Sequence, residues 1–197
     1  MRHGRPVFDH RGWIVSRDMA ARITRYDEAG IQVNAGAGAG AAGETRGERE
    51  AYAAAVAAGG DAGCIVASDL LRSAQSARSV AGGRAVLGES LFREADLPFG
   101  LWGWPVLPYR LWCAVFRIAW WWGFGAQVES RIDAEARARD AALRLMELAK
   151  QHGSVLLVGH GVMNRMIARV LLARGARGPR WLANGYWSMA VFEFTAN

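Results

Sequence analysis

Arg2-His3-Gly4 sets a guanidinium beside an imidazole, followed by a residue that tolerates sharp turns, near the start of this 197-residue chain. That is a compact way to bind and attack a phosphate. Partners for such chemistry occur farther along the sequence. Arg72 supplies a second guanidinium, His160 a second imidazole, and Glu94 and Asp96 supply carboxyls. Two arginines and two histidines around one point would hold a tetrahedral dianion by charge-assisted hydrogen bonds. A carboxyl with a pKa near the operating pH would move the proton that ester cleavage requires.

These residues meet only if the intervening elements bring them together. Cys64 to Ala67 is a short apolar run that reads as a buried strand, and it delivers Ser68-Asp69 to a helix over about Leu70 to Val80 that carries Arg72. Ser154 to Gly159 reads as a second buried strand that presents His160, followed by an apolar-rich helix over Val162 to Ala173. Strand, polar turn and helix N-terminus in succession suit an anion, because unpaired backbone donors and the helix dipole converge there. Further elements are a helix capped by Ser16 and ending at Gly30, a helix over Glu44 to Ala58 ending at Gly59-Gly60, and a long helix over Glu129 to Gln151. Arg84 to Leu87 and Trp187 to Phe194 are strand candidates. Alternating strands and helices predict a three-layer α/β/α fold with a mostly parallel central sheet, whose ligand sites lie beyond the carboxyl ends of the strands.

Composition narrows the classes. The chain is 52% hydrophobic and 21% charged, long enough for one well-cored domain over residues 1–197. It carries a net charge of +6, and of its 24 basic residues all but Lys150 are arginine. No basic run or nucleic-acid motif accompanies that charge, so no nucleic-acid partner is expected. The Gly/Ala stretch from Asn34 to Gly43 reads as a flexible loop; no Lys-Ser or Lys-Thr follows it, as a nucleotide-binding loop would need. Cys64 and Cys113 read as buried free thiols, and His10 and His152 as surface residues. Met1 to Arg11 lacks the apolar run of a signal peptide, so a cytoplasmic location is expected.

Three stretches taken in order, Arg2-His3-Gly4, then Ser68-Asp69-Leu70-Leu71-Arg72-Ser73-Ala74-Gln75-Ser76-Ala77, then Gly159-His160-Gly161, resemble the histidine phosphatase superfamily, also called phosphoglycerate mutase-like. The middle stretch is similar to the family's Ser-x-Leu-x-Arg-x-x-Gln-Thr-Ala helix at almost every position. The resemblance implies a phosphomonoesterase that needs neither metal nor cofactor. His3 would be the nucleophile that becomes a phosphohistidine, while Arg2, Gly4, Arg72 and His160 bind the phosphoryl group and His160 shares in catalysis. Glu94, in Phe92-Arg93-Glu94, matches the family's acid position, with Asp96 as the alternative. Arg5 and Asp9 stand where mutase-type members carry other residues. The implied partner is a small-molecule or protein phosphate ester. A phosphoglycerate mutase-type phosphotransferase and a catalytically weak, membrane-associated phosphate-binding protein are the rival readings.

Two features depart from the family pattern. Residues 99–125 form a Trp-rich insertion, and Phe99 to Phe124 holds six of the nine tryptophans. It lies before Glu129-Ser130, which resembles the family's Glu-Ser helix start, and it reads as a core element, a lid over the site or a peripheral membrane anchor. The second departure is that only Met1 precedes the Arg-His-Gly turn, where the family places a buried strand. A truncated first strand and a native start farther upstream are the expectation there.

Overall fold

The structure, a computed structural model, describes residues 1–31, 45–125 and 127–194. The predicted loop from Asn34 to Gly43 lies outside them. The organising strand is β2 (Cys64–Ala67), buried at all four positions, as a strand covered on both faces must be. It pairs in parallel with β5 (Val155–Val158) from Cys64↔Val155 to Ala67↔Val158, and on its other edge with the two-residue β3 (Leu87–Gly88). The order is β3-β2-β5. Beyond β5 the first residues run alongside it: Arg2 makes a parallel bridge to Gly159, the His3 amide donates to the Gly159 carbonyl at 3.0 Å, and the Gly159 amide donates to the Met1 carbonyl at 2.9 Å.

The alternation of side chains along β2 divides the core. Ile65 and Ala67 pack with Ala77 and Ala81 of α3 (Leu71–Val80) and its end, whereas Cys64 and Val66 pack with α5 (Arg131–His152) and α6 (Gly161–Ala173). One face thus receives Arg72's helix and the other receives the helix that follows His160. Ser130 caps α5, its Oγ accepting from the Asp133 amide at 3.2 Å. This is the mixed α/β fold with a parallel sheet that the sequence predicts.

Several boundaries differ from expectation. The helix α1 (Met19–Glu28) follows a 3-10 turn over Ser16–Asp18, and Ser16 does not cap it. The Ser16 hydroxyl instead donates to the Trp102 carbonyl at 2.9 Å and accepts from the Trp102 amide at 3.0 Å, pinning the Trp-rich segment. The helix α2 (Arg46–Asp61) continues through Gly59-Gly60. Gly59 serves packing there: a Cβ on it would lie 2.1 Å from the Val80 carbonyl oxygen, so glycine lets α2 approach the end of α3. The strand candidate at Trp187 to Phe194 is irregular, held by a bridge from Glu193 to Arg177. Trp187 has φ of 62°, which interrupts an extended run.

The Trp-rich segment contributes β4 (Leu107–Pro108), antiparallel to β1 (Trp13–Ile14), and then α4 (Tyr109–Trp121). One face of α4 is core: Tyr109, Trp112, Phe116 and Trp120 are buried and recur at helical spacing. Trp112 Nε1 donates to the Ile14 carbonyl at 2.9 Å and Trp120 Nε1 to the Glu129 carbonyl at 2.8 Å, so both indoles satisfy their polar edge. The core reading of this segment therefore holds for half of the helix, and the other half is exposed.

Candidate active site

The carboxyl ends of β2 and β5 and the turn at Arg2-His3 lie side by side, which gathers the residues scattered in sequence. His3, Arg72 and His160 are each at most 2% exposed. The His3 and His160 rings have centroids 5.1 Å apart. Arg72 projects from the first turn of α3, with its guanidinium 4.3 Å from the centre of the Tyr26 ring, and donates to the Tyr26 carbonyl at 3.0 Å and to Asp27 Oδ1 at 3.1 Å. Arg2 donates to the Asn184 carbonyl, and its guanidinium lies 4.9 Å from the Tyr186 ring centre.

The tautomer of His3 follows from one contact. Its Nδ1 lies 2.7 Å from the Gly4 carbonyl oxygen, which can only accept, so Nδ1 carries the proton and Nε2 keeps a lone pair. Burial, reinforced by the positive charges of Arg72 and Arg2, pushes the His3 pKa down to about 3. His160 is pushed well below the ordinary histidine value by burial first and then by Arg72, His3 and Arg2. Both imidazoles are neutral at neutral pH. Around them, Arg2 Nε, Arg72 Nε and both ring nitrogens of His160 are buried and make no hydrogen bond within the described residues.

Three serines and a glycine hold this geometry. The Gly4 amide donates to Ser76 Oγ at 2.8 Å, and Ser76 Oγ donates to the Arg72 carbonyl at 2.6 Å, so one hydroxyl ties the His3 turn to Arg72's helix. Ser73 Oγ donates to the Val158 carbonyl at 2.6 Å, fixing α3 on β5. Ser68, at the end of β2, turns the chain by accepting from the Leu70 amide at 3.2 Å. Gly4 is not in the left-handed region. Its need for glycine is steric, since a Cβ would lie 2.2 Å from the Trp187 ring.

Glu94 lies at the N-terminus of α6. Its carboxylate accepts from the Met163 amide at 2.8 Å and from the Val162 amide at 3.1 Å, three and two residues beyond His160. Asp96 turns elsewhere, accepting from the Glu129 amide at 3.2 Å. Arg137 of α5 fixes the acidic segment: it donates to the Arg93 carbonyl at 2.7 Å and pairs with Glu129 at 2.6 Å. Arg93 pairs with Asp69 through two bonds of 2.6 Å, and those bonds hold the Asp69 carboxyl below its ordinary range.

The sequence-predicted residues Arg2, His3, Gly4, Arg72, His160 and Glu94 are thus brought to one place, and Asp96 is set apart. Arg5 pairs with Glu48 at 2.7 Å, and Asp9 is exposed beside Arg11. Tyr26, Asp27, Ser76 and Arg137 were not legible as site residues; only the Ser76 position within the α3 pattern carries a signal. His10, expected at the surface, is half-buried, its ring packed against Phe8 at 5.0 Å and Tyr26 at 5.6 Å. Among the described residues, no group of three or more His, Cys, Asp or Glu side chains is placed to hold a metal ion.

The sequence profile of the histidine phosphatase superfamily (branch 1) matches residues 44–197. The chain belongs to that superfamily. The match begins after Arg2-His3-Gly4, so the placement of this turn against His160 is a separate observation. The histidine phosphatase described here is similar in fold to mycobacterial glucosyl-3-phosphoglycerate phosphatase, with a TM-score of 0.53 and 22% identity over 87% of this chain and 77% of that one. It is also similar to a phosphoserine phosphatase from Entamoeba histolytica, with a TM-score of 0.51 and 18% identity over 87% and 77% of the respective chains. No curated protein matches the sequence.

Proposed function

We propose that this histidine phosphatase is a metal-independent phosphomonoesterase that works through a phosphohistidine on His3. The observation that carries the reading is the ring of unpaired buried nitrogens on Arg2, Arg72 and His160 beside the free Nε2 lone pair of His3. Buried donors are costly without partners, and a phosphoryl group offers oxygens in the number and charge that would satisfy them.

In the first step His3 Nε2 attacks phosphorus, the bond to the ester oxygen breaks, and its electron pair leaves with the alcohol. The two arginines neutralise charge on the equatorial oxygens, where most catalysis of phosphoryl transfer resides. His160 donates a hydrogen bond from one ring nitrogen. Glu94 protonates the departing oxygen, then takes a proton from water as it attacks the phosphohistidine, which releases phosphate and restores neutral His3. Gly4 contributes position through Ser76 and Trp187. Phosphate monoesters of small molecules fit this reading, as the names of the two structural relatives do, and a protein phosphate ester would use the same pocket.

Hydrolysis of an aryl phosphate in the presence of a chelator tests the proposal. The expected result is turnover that persists with chelator and falls at least about a thousandfold in His3→Ala, with a phosphorylated histidine trapped by rapid acid quench in the wild type. Phosphate binding without turnover would leave the weak phosphate-binding reading in its place. Transfer of the phosphoryl group to an added alcohol in preference to water would favour the phosphotransferase.

A further inference from the structure

The outer face of α4 is anomalous. Leu111, Val115, Ile118 and Trp122 recur at helical spacing on the side away from the core and are exposed, Ile118 by 61% and Trp122 by 87%. No charged or hydrogen-bonding residue interrupts that stripe. The loop that leads into the helix adds Leu101 and Trp104, exposed by 81% and 80%. A helix whose inner face is already buried has no folding reason to carry apolar side chains on its outer face, and apolar exposure on this scale marks a binding surface.

Charge says what would cover it. Between Asp96 and Glu129 the sequence contains no acidic residue. Arg110 is exposed on the flank of the stripe, and Arg17 is exposed beside the preceding loop, 3.4 Å from a Cβ built on Gly103. Exposed indoles on a stretch that carries arginine and no acidic residue are the composition that settles at a bilayer interface, where indoles sit at headgroup level and arginines meet anionic lipid. A second copy of this chain docked by the same stretch would bring no acidic residue of that stretch to pair with Arg110 and Arg17. At 13 residues α4 is about 20 Å long, and among the described residues no helix is long and apolar enough to cross a membrane.

We propose that the outer face of α4 docks this protein peripherally on an anionic lipid bilayer, with the helix lying in the plane of the interface. The helix is tied by hydrogen bonds to the segment that carries Glu94. Arg117, on α4, donates to the carbonyls of Ala95 and Asp96 at 2.8 and 2.9 Å, next to Glu94. Tyr109 packs against Phe8, on the chain that leaves the His3 turn.

Flotation of the full chain with vesicles of phosphatidylcholine alone, and of phosphatidylcholine with phosphatidylglycerol, tests this. The expected result is binding to the anionic vesicles, weakened by salt, and reduced at least about tenfold in the double variant I118Q/W122Q. Both substituted side chains are exposed, and a circular dichroism spectrum and aryl phosphatase activity equal to the wild type would show the variant folded. Binding and catalysis use different residues, so loss of one is distinguishable from loss of the other. Absence of binding to either vesicle, or binding unaffected by the double variant, would overturn the proposal. So would a dimer in solution that disappears in I118Q/W122Q while vesicles leave the protein unbound, which would assign the face to a second copy.

Discussion

The proposed phosphate pocket and α4 depart from ordinary burial in opposite directions. In the pocket, cations and imidazoles that prefer water are buried: Arg72 is 1% exposed and His160 1%. Along α4, apolar side chains that avoid water are exposed. The pocket is held by short bonds to backbone, from Ser73, Ser76 and Arg137, so its cost is met by neighbours whose only evident work is positional. The inner face of α4 is held by aromatic packing, with Trp112 and Phe116 rings 5.1 Å apart. Residues out of place in solvent terms carry both proposals, but for different partners: an anion in one region and a lipid surface in the other.

Substitutions should separate the two regions. The largest effect is expected at the acid. Glu94→Gln should lower kcat by about 10²–10⁴-fold and remove one limb of the pH-rate profile, with thermal stability close to wild type. Asp96→Asn should stay within about threefold, since its carboxylate faces the Glu129 amide. Equal losses in the two variants would remove the distinction drawn between these carboxyls. On α4 the inner face should answer in stability alone. Phe116→Ala should cost about 3–5 kcal/mol in chemical denaturation, whereas Ile118→Gln on the outer face should cost less than about 0.5 kcal/mol. A large loss at Ile118 would mean the outer face packs against something in the folded chain.

The dependence on pH sharpens the pocket. His3 has a folded pKa near 3 against an ordinary 6.5, so the unfolded chain binds more protons between those values. Stability is therefore greatest above pH 6.5 and falls as pH drops through that window, by about 1.4 kcal/mol per pH unit from this histidine. His160 acts in the same direction. Denaturation midpoints at pH 7 and pH 5 should show the loss, and His3→Ala should remove the share of His3 while leaving that of His160. An unchanged slope in His3→Ala would mean that this imidazole is not buried neutral.

Legibility followed sequence distance. The strand at Cys64 to Ala67 and the helix after it were readable because a buried parallel strand is apolar at every position and its turn residues adjoin the helix start. Trp187 to Phe194 misled for a related reason: an apolar, aromatic composition resembles a strand, but Trp187 occupies a backbone region closed to strands. Gly59 misled too, since glycine stops a helix in isolation but here admits a neighbouring carbonyl. The roles of Tyr26 and Arg137, and the contact of Ser76 with Gly4, are invisible in the sequence because they depend on partners 43 to 72 residues away in the chain.

By itself the sequence determined the chemistry available to this protein: Arg2, His3, Arg72 and His160 in an order that a parallel α/β fold would bring together, because local periodicity and turn residues dictate which strand ends present them. Only the tertiary structure decided which His3 nitrogen keeps its lone pair, which of Glu94 and Asp96 meets the first amides of the helix after His160, and which half of the Trp-rich helix is core. Those are questions of contact between distant segments, and contact is settled by packing, hydrogen-bond direction and burial, none of which residue order specifies.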